Sequence, residues 1–232
     1  MFSAKKKLSL FLPILAIVGA ASFGILMTLY IAPNTIGKIV FSASKVLMLF
    51  LPILWVVYID KKKVKISKPK PRELWWGVMS GLLIFAVIVG AYQLFGNSWI
   101  DNSLAQEKAT ALGITKPYIY FAGVIYWSFG NSLIEEYIWR WFIYLKLEKL
   151  MPKVTAIFVC ALLFTLHHII ALTAYTPDLR IVIIGSLGVF SGGFIWSLFY
   201  LKFRSLWGAY VSHILADLAI AFVGWQILFS NI

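Results

Sequence analysis

Long apolar runs, interrupted by short polar segments, are the dominant pattern along the chain. Most of these runs reach the ~20 residues that an α-helix needs to cross the hydrocarbon core of a bilayer. We therefore predict an all-α fold, a polytopic membrane helix bundle of about seven transmembrane helices. The predicted spans are residues 8–32, 36–59, 74–95, 117 to about 147, 152–172, 181–201 and 206 to about 229.

The polar residues inside these spans are unevenly distributed, and this predicts how the chain is organised. All three histidines and the intramembrane acids lie after residue 117. We predict a single membrane domain in which residues 1–116 form three peripheral transmembrane helices with their loops, and residues 117–229 form a four-helix core carrying the chemistry. The first apolar run exceeds the ~7–15 residues of a signal-peptide core, so we predict that it is retained; cleavage is the less favoured alternative.

Composition agrees with a membrane location and limits the possible partners. Hydrophobic residues make up 61% of the chain and charged residues 13%, with a mean hydropathy of +0.87, which is outside the soluble range. The net charge of +12 comes from short basic segments between apolar runs, so we predict a lipid bilayer as partner and no nucleic acid. The basic loop at residues 60–72 is expected to be extended and to lie beside an anionic lipid surface.

Lysine and arginine are concentrated on one predicted side of the membrane. They lie in the amino-terminal tail, in the loop at residues 60–73, in the connector at residues 146–153 and at Lys202 and Arg204. The opposite side has only Lys38, Lys108, Lys116 and Arg180. The positive-inside rule then predicts a protein of the cell membrane with a cytoplasmic amino terminus and a carboxyl terminus on the far side.

Residues 131–144 contain Glu135, Glu136 and Arg140 within an otherwise apolar and aromatic run. An ionised side chain at this depth costs at least ~2.5–3.5 kcal/mol and usually has a partner and a function. Glu136 and Arg140 are four residues apart, which favours an intrahelical ion pair. Glu135 points about 100° away and is left available as a general base.

Later helices repeat the four-residue spacing. His213 and Asp217 would face one cavity, and the Phe164 ring could pack beneath the His168 imidazole. His167 is expected to face away and to be structural. Depth is a difficulty, because Glu135 and His213 come out near the middle of the membrane and His168 several ångströms nearer the far side; a tilted or broken helix would reconcile them. Lys45, within the second predicted span, could snorkel to the membrane surface or line a cavity, and is assigned no function.

These motifs resemble those of a known family. Glu135-Glu136-x-x-x-Arg140, Phe164-x-x-x-His168 and His213-x-x-x-Asp217, each on a separate apolar helix, are similar to the three motifs of the CPBP family, the CAAX-processing and bacteriocin-immunity (Abi) proteins. This family includes the type II CAAX prenyl endopeptidases. The resemblance covers roughly residues 117–229.

The resemblance implies an intramembrane endopeptidase that opens towards the cytoplasm and cleaves a lipidated or hydrophobic peptide. It implies that Glu135 and His168 activate water and that His213 and Asp217 stabilise the oxyanion or hold the site together. Glu136, Arg140 and Phe164 would be structural support. Asn is common at the position of Asp217 in the eukaryotic members, so Asp217 is protonated, or orients His213, or favours a metal.

The sequence alone does not determine whether a cofactor is used or which class of function the protein has. The enzyme is either of the glutamate type, with no cofactor, or a metalloprotease with zinc held by Glu135, His168 and His213; the helical His-Glu-x-x-His signature is absent. The main alternative is a non-catalytic immunity protein that binds a bacteriocin-like peptide. A proton- or ion-coupled transporter is a third, although no repeated pair of broken helices is found.

Overall fold

The structure is a computed structural model that describes residues 4–229, so the beginning of the predicted amino-terminal tail lies outside the described residues. Within this range every regular element is helical, which confirms the all-α prediction. The helices are α1 (Ala4–Leu26), α2 (Thr35–Leu54), α3 (Pro71–Ala91), α4 (Asn102–Leu112), α5 (residues 117–150), α6 (Lys153–Tyr175), α7 (Leu179–Phe203) and α8 (Trp207–Phe229). Short π-helical turns extend α1, α2 and α3.

Six helical segments are long and apolar enough to cross a membrane, and they make this an integral multi-pass membrane protein. They are Lys7–Ile31, Thr35–Ile59, Pro71–Trp99, Lys153–Tyr175, Leu179–Phe203 and Trp207–Phe229. The predicted fourth span corresponds to α5, which is not among them. The predicted count of seven is therefore not confirmed.

Helix α5 differs from the other long helices because it alternates α- and π-helical segments. Its α-helical parts are Pro117–Ile125, Ser132–Glu136 and Leu145–Leu150, and its π-helical parts are Tyr126–Asn131 and Tyr137–Tyr144. Insertions of π-helical geometry are often found at functional sites. Here they lie on both sides of the short segment that carries Glu135 and Glu136.

Helix α5 also supplies much of the core. Every residue of the segment Tyr137–Tyr144 is buried, including its charged member Arg140. By contrast, α3 buries only Glu73, Gly77 and Gly81. The bundle is therefore built around the carboxyl half of α5, with α6, α7 and α8 packed against it.

Small residues allow α3 to approach α8 closely. A Cβ atom added at Gly77 would lie 2.5 Å from the Gly208 carbonyl oxygen, and one added at Gly208 would lie 2.7 Å from the Glu73 carbonyl oxygen. Small residues at helix crossings let backbones meet in this way within membranes. Beside this contact, the Ser80 hydroxyl donates to Ser212 Oγ at 3.0 Å.

Candidate active site

Helices α5, α6 and α8 bring the predicted site residues to one place. Ligand atoms of Glu135, His167 and His168 all lie within 4.8 Å of one another. His213 Nε2 from α8 lies 3.8 Å from Glu135 Oε2. The depth difference expected between Glu135 and His168 therefore does not keep the two side chains apart.

Glu136 is the partner of two basic groups. Its Oε2 lies 3.2 Å from Arg140 Nε, with both side chains fully buried, so the ion pair expected from their spacing is present. Its Oε1 lies 2.9 Å from His213 Nδ1. Since a carboxylate can only accept, His213 donates from Nδ1 and directs Nε2 towards Glu135 and Asp217.

Aromatic rings surround the Arg140 guanidinium and contribute to its accommodation in the core. Its Cζ lies 4.8 Å from the ring centroid of Phe164 and 5.2 Å from that of Trp196. Arginine gains from such cation–π contacts where water is excluded. Trp196 also stacks on the His213 ring at 3.9 Å and thereby fixes the plane of that imidazole.

Asp217 faces His213, as the four-residue spacing predicts. Its Oδ1 lies 3.7 Å from His213 Nε2, and its Oδ2 accepts a short hydrogen bond of 2.5 Å from the Ser132 hydroxyl. Ser132 lies one helical turn before Glu135 and Glu136 on α5. The hydrogen bond therefore joins the third motif to α5 one turn before the first motif.

His168 is oriented by the backbone of its own helix. Its Nδ1 lies 2.9 Å from the Phe164 carbonyl oxygen, and because a carbonyl accepts, Nδ1 carries the proton. The Nε2 lone pair is then free for a proton, a water molecule or a metal. The Phe164 ring packs against the imidazole with centroids 4.5 Å apart, as expected from the spacing.

His167 does not face away from His168, so that expectation was wrong. Its ring is buried, stacks on Trp139 with centroids 5.4 Å apart and lies 4.1 Å from the His168 ring. It also replaces His213 in the one close group of three metal-type ligands found among residues 4–229. Consecutive residues of an α-helix are rotated by about 100°, so two large neighbouring rings can still contact each other on the helix surface. The residue spacing alone did not predict this contact.

Lys45 on α2 also reaches the site and lines a cavity there, one of the two possibilities that the sequence left open for it. Its Nζ donates to Asn131 Oδ1 at 2.9 Å, and Asn131 Nδ2 donates to Glu135 Oε1 at 2.9 Å. A cavity of about 20 Å³, room for one water molecule, is lined by Lys45 and His167. The available signals were a lysine within an apolar span and an asparagine one turn before Glu135.

The site combines groups that can exchange protons in a largely water-excluded position. The carboxylate of Glu136 contacts Arg140, and those of Glu135, Glu136 and Asp217 all lie within 4 Å of a ring nitrogen of His213. A buried acid beside two imidazoles is an arrangement suited to hydrolysis by an activated water molecule.

The fold is that of a polytopic membrane protein, and the buried cluster contains side chains that could catalyse hydrolysis. Residues 116–219 match the family model described as type II CAAX prenyl endopeptidase Rce1-like. The match includes all three motifs, from Glu135 to Asp217, and confirms the resemblance to the CPBP family of intramembrane proteases. It supports an intramembrane protease activity of the CAAX type. Neither the comparison with curated proteins nor that with solved structures gave a match.

Proposed function

We propose that this protein is an intramembrane endopeptidase that cleaves a lipidated or hydrophobic peptide and uses Glu135 as its general base. The observation that carries the proposal is the convergence of Glu135 with His168 and His213 from two other helices. It is supported by the family match, which spans these residues. The exposed apolar flanks of the helices suit a substrate that approaches from the bilayer.

In the proposed reaction, a water molecule lies between Glu135 and His168 Nε2. Glu135 accepts a proton from this water while the oxygen attacks the scissile carbonyl carbon, and His168 holds the water by accepting its second hydrogen. The tetrahedral intermediate then collapses as the C–N bond breaks. Glu135 returns the proton to the leaving amine, so the carboxylate is regenerated.

His213 and its neighbours are proposed to stabilise the oxyanion. Glu136 holds His213 by the Nδ1 contact of 2.9 Å, which fixes where Nε2 points. When His213 carries a second proton, its Nε2–H can donate to the developing negative charge. Asp217, held by Ser132, then serves as the counter-charge of His213 rather than as the donor itself.

A zinc ion is compatible with the donor set, and we keep both versions of the reaction. The ligand atoms of Glu135, His167 and His168 are close enough to share one ion, and His168 is already oriented by a backbone carbonyl as many metal-bound histidines are. Bound zinc would supply Lewis-acid activation of water at this place. Metal analysis of the purified protein, with cleavage assayed with and without a chelator, distinguishes the two versions.

The test is cleavage of a fluorogenic lipidated peptide by purified protein in detergent. Glu135→Gln and His168→Asn should each lower kcat by ~10²–10⁴-fold, because each removes a group that moves or holds the reacting proton. Glu107→Gln, an exposed acid on α4, is the matched control and should retain full activity. Thermal unfolding must show that all variants remain folded.

Full cleavage by both site variants would overturn the proposal. The alternative, a non-catalytic immunity protein that binds a bacteriocin-like peptide, gives a different result. Wild-type protein would then bind or protect against the peptide without producing fragments, and the same substitutions would weaken that protection.

We also propose that the protein lies in the cell membrane with its amino terminus in the cytoplasm and its carboxyl terminus on the far side. The asymmetry of lysine and arginine between the loops supports this orientation. It requires α5 to cross the bilayer together with the six other spans. Reporter fusions at both termini test it, and two cytoplasmic termini would contradict it.

A further inference from the structure

A second cavity lies away from the candidate active site, at the end of α5 that follows the buried charged segment. It has a volume of about 230 Å³ and is bounded by the loop after α2, by α5 and by α7. Its lining residues are Val56, Asp60, Lys62, Lys63, Lys65, Trp141, Phe142, Leu145, Lys146, Lys149 and Tyr200. Trp141 follows Glu135 by six residues, roughly 9 Å along a helix axis, so this cavity and the catalytic groups are separate.

The lining carries a strong excess of positive charge. Its single acid, Asp60, accepts from the buried Lys146 ammonium at 2.9 Å and is thereby neutralised. Among residues 4–229, no carboxylate lies within ion-pairing distance of Lys62, Lys63 or Lys65. These three exposed lysines therefore carry ammonium groups that are able to bind an anion from outside the chain.

The loop that carries these lysines is held in place by specific contacts. Trp141 Nε1 donates to the Lys65 carbonyl at 3.1 Å, and Trp207 Nε1 donates to the Ser67 carbonyl at 2.7 Å. The Lys62 amide donates to the Val56 carbonyl at 2.9 Å. A loop fixed in this way loses little conformational entropy when it binds a ligand.

The cavity lining also includes apolar and aromatic side chains, and this defines the kind of anion that fits. Val56, Trp141, Phe142, Leu145 and Tyr200 face the same space as the lysines. A free, strongly hydrated anion would gain nothing from these side chains. An amphiphile with a phosphate at one end and an alkyl chain at the other matches both kinds of lining side chain, and basic pockets between membrane helices bind such head groups.

We propose that this cavity binds the phosphate of an anionic phospholipid head group, with Lys62, Lys63 and Lys65 contacting the phosphate and the apolar lining residues contacting the glycerol and upper acyl chain. This goes beyond attraction of the loop to an anionic membrane surface, because it assigns particular lysines to one cavity. The proposal does not depend on the proposed protease function. It predicts a saturable, lysine-specific site in protein that has been removed from the membrane.

The test uses the full-length protein in a neutral detergent, titrated with short-chain phosphatidylglycerol while thermal unfolding is followed. We expect a saturable rise in Tm, because a ligand that binds only the folded state stabilises it. Short-chain phosphatidylcholine at the same concentrations should give little or no rise. The double variant Lys62→Gln/Lys65→Gln should bind phosphatidylglycerol about ten- to thirtyfold more weakly.

The matched control is Lys61→Gln/Lys68→Gln, which removes the same charge from the same exposed loop at positions outside the cavity lining. It should bind within twofold of the wild type. Equal weakening of both double variants would show general surface attraction and would overturn the proposal, as would equal binding of phosphatidylcholine. Inorganic phosphate is the third arm: protection by phosphate alone at the same concentrations would overturn the assignment to a lipid and leave a phosphate site.

Discussion

The first three long helices and the last four differ in how much of their surface is buried and in the charges that they carry within the membrane. Helix α3 is apolar along most of its length and buries only three of its residues, while the segment Tyr137–Tyr144 of α5 is buried throughout and carries a charge. An apolar helix is stable against lipid without a protein partner, whereas a helix with ionised groups must find partners for them. The difference shows that polarity inside the membrane determined which helices form the centre of the bundle.

The two regions nevertheless meet through a few polar contacts. Lys45 of α2 reaches Asn131 of α5, Ser80 of α3 reaches Ser212 of α8, and Lys146 of α5 reaches Asp60 in the basic loop. Helices α1–α3 therefore do more than cover the core. We retain a four-helix core at residues 117–229 as a proposal, with Lys45 added as a contribution from outside it.

The largest effect is expected from breaking the buried ion pair of the core. Arg140→Met removes the cation beside Glu136 and leaves a buried carboxylate with His213 as its remaining partner, which should lower the free energy of unfolding by about 3–5 kcal/mol. Unfolding in detergent measures this change. The exposed pair of Arg180 with Asp178 provides the control, because Arg180→Gln should leave stability unaltered. Equal stability of the Arg140 variant and wild type would contradict the central role of α5.

An intermediate effect is expected where the peripheral region enters the site. Lys45→Met removes the donor that holds Asn131 against Glu135, and we expect kcat for peptide cleavage to fall about 10–100-fold with KM little changed. Lys45→Arg, which restores a donor and the charge, should recover part of the loss. Lys38→Met, at the beginning of the same helix, is the control. A fall in stability without a selective loss of kcat would reduce Lys45 to a packing residue.

The smallest effect is expected at the crossing of α3 and α8. Gly77→Ala places a methyl group against the Gly208 carbonyl and should destabilise the protein by about 1–3 kcal/mol through overpacking. Gly90→Ala, on the same helix, meets no atom within 4 Å and should be neutral or slightly stabilising. The difference between the two unfolding midpoints is the measurement. Equal midpoints would mean that α3 is free to shift away from the core.

Sequence patterning predicted the elements well where the physical signal was local. The predicted spans at residues 36–59 and 181–201 overlap the observed segments Thr35–Ile59 and Leu179–Phe203 almost completely. The pair of Glu136 with Arg140 and the packing of Phe164 on His168 followed from the four-residue spacing. Both depend only on the geometry of a single helix, which the sequence specifies directly.

Contacts between helices were harder to predict. The hydrogen bond of Ser132 to Asp217, the inclusion of His167 in the ligand group and the reach of Lys45 to Asn131 each depend on how two helices rotate and approach. The expectation that His167 faces away from His168 was wrong for this reason. The seventh span was not confirmed: α5 carries Glu135, Glu136 and Arg140 and is not among the segments that are long and apolar enough to cross a membrane.

The sequence by itself determined that this chain is a helical membrane protein and which helices carry ionisable groups, because apolar length and intramembrane charge are properties of single segments. Only the tertiary structure decided that Glu135 meets two histidines from α6 and one from α8, and that Glu136 rather than Asp217 fixes the ring of His213. The physical reason is that a buried charge can be satisfied by any partner within a few ångströms, whatever its distance along the chain. The packing of the helices determines which partner that is. Here it brings together the side chains on which the proposed chemistry depends.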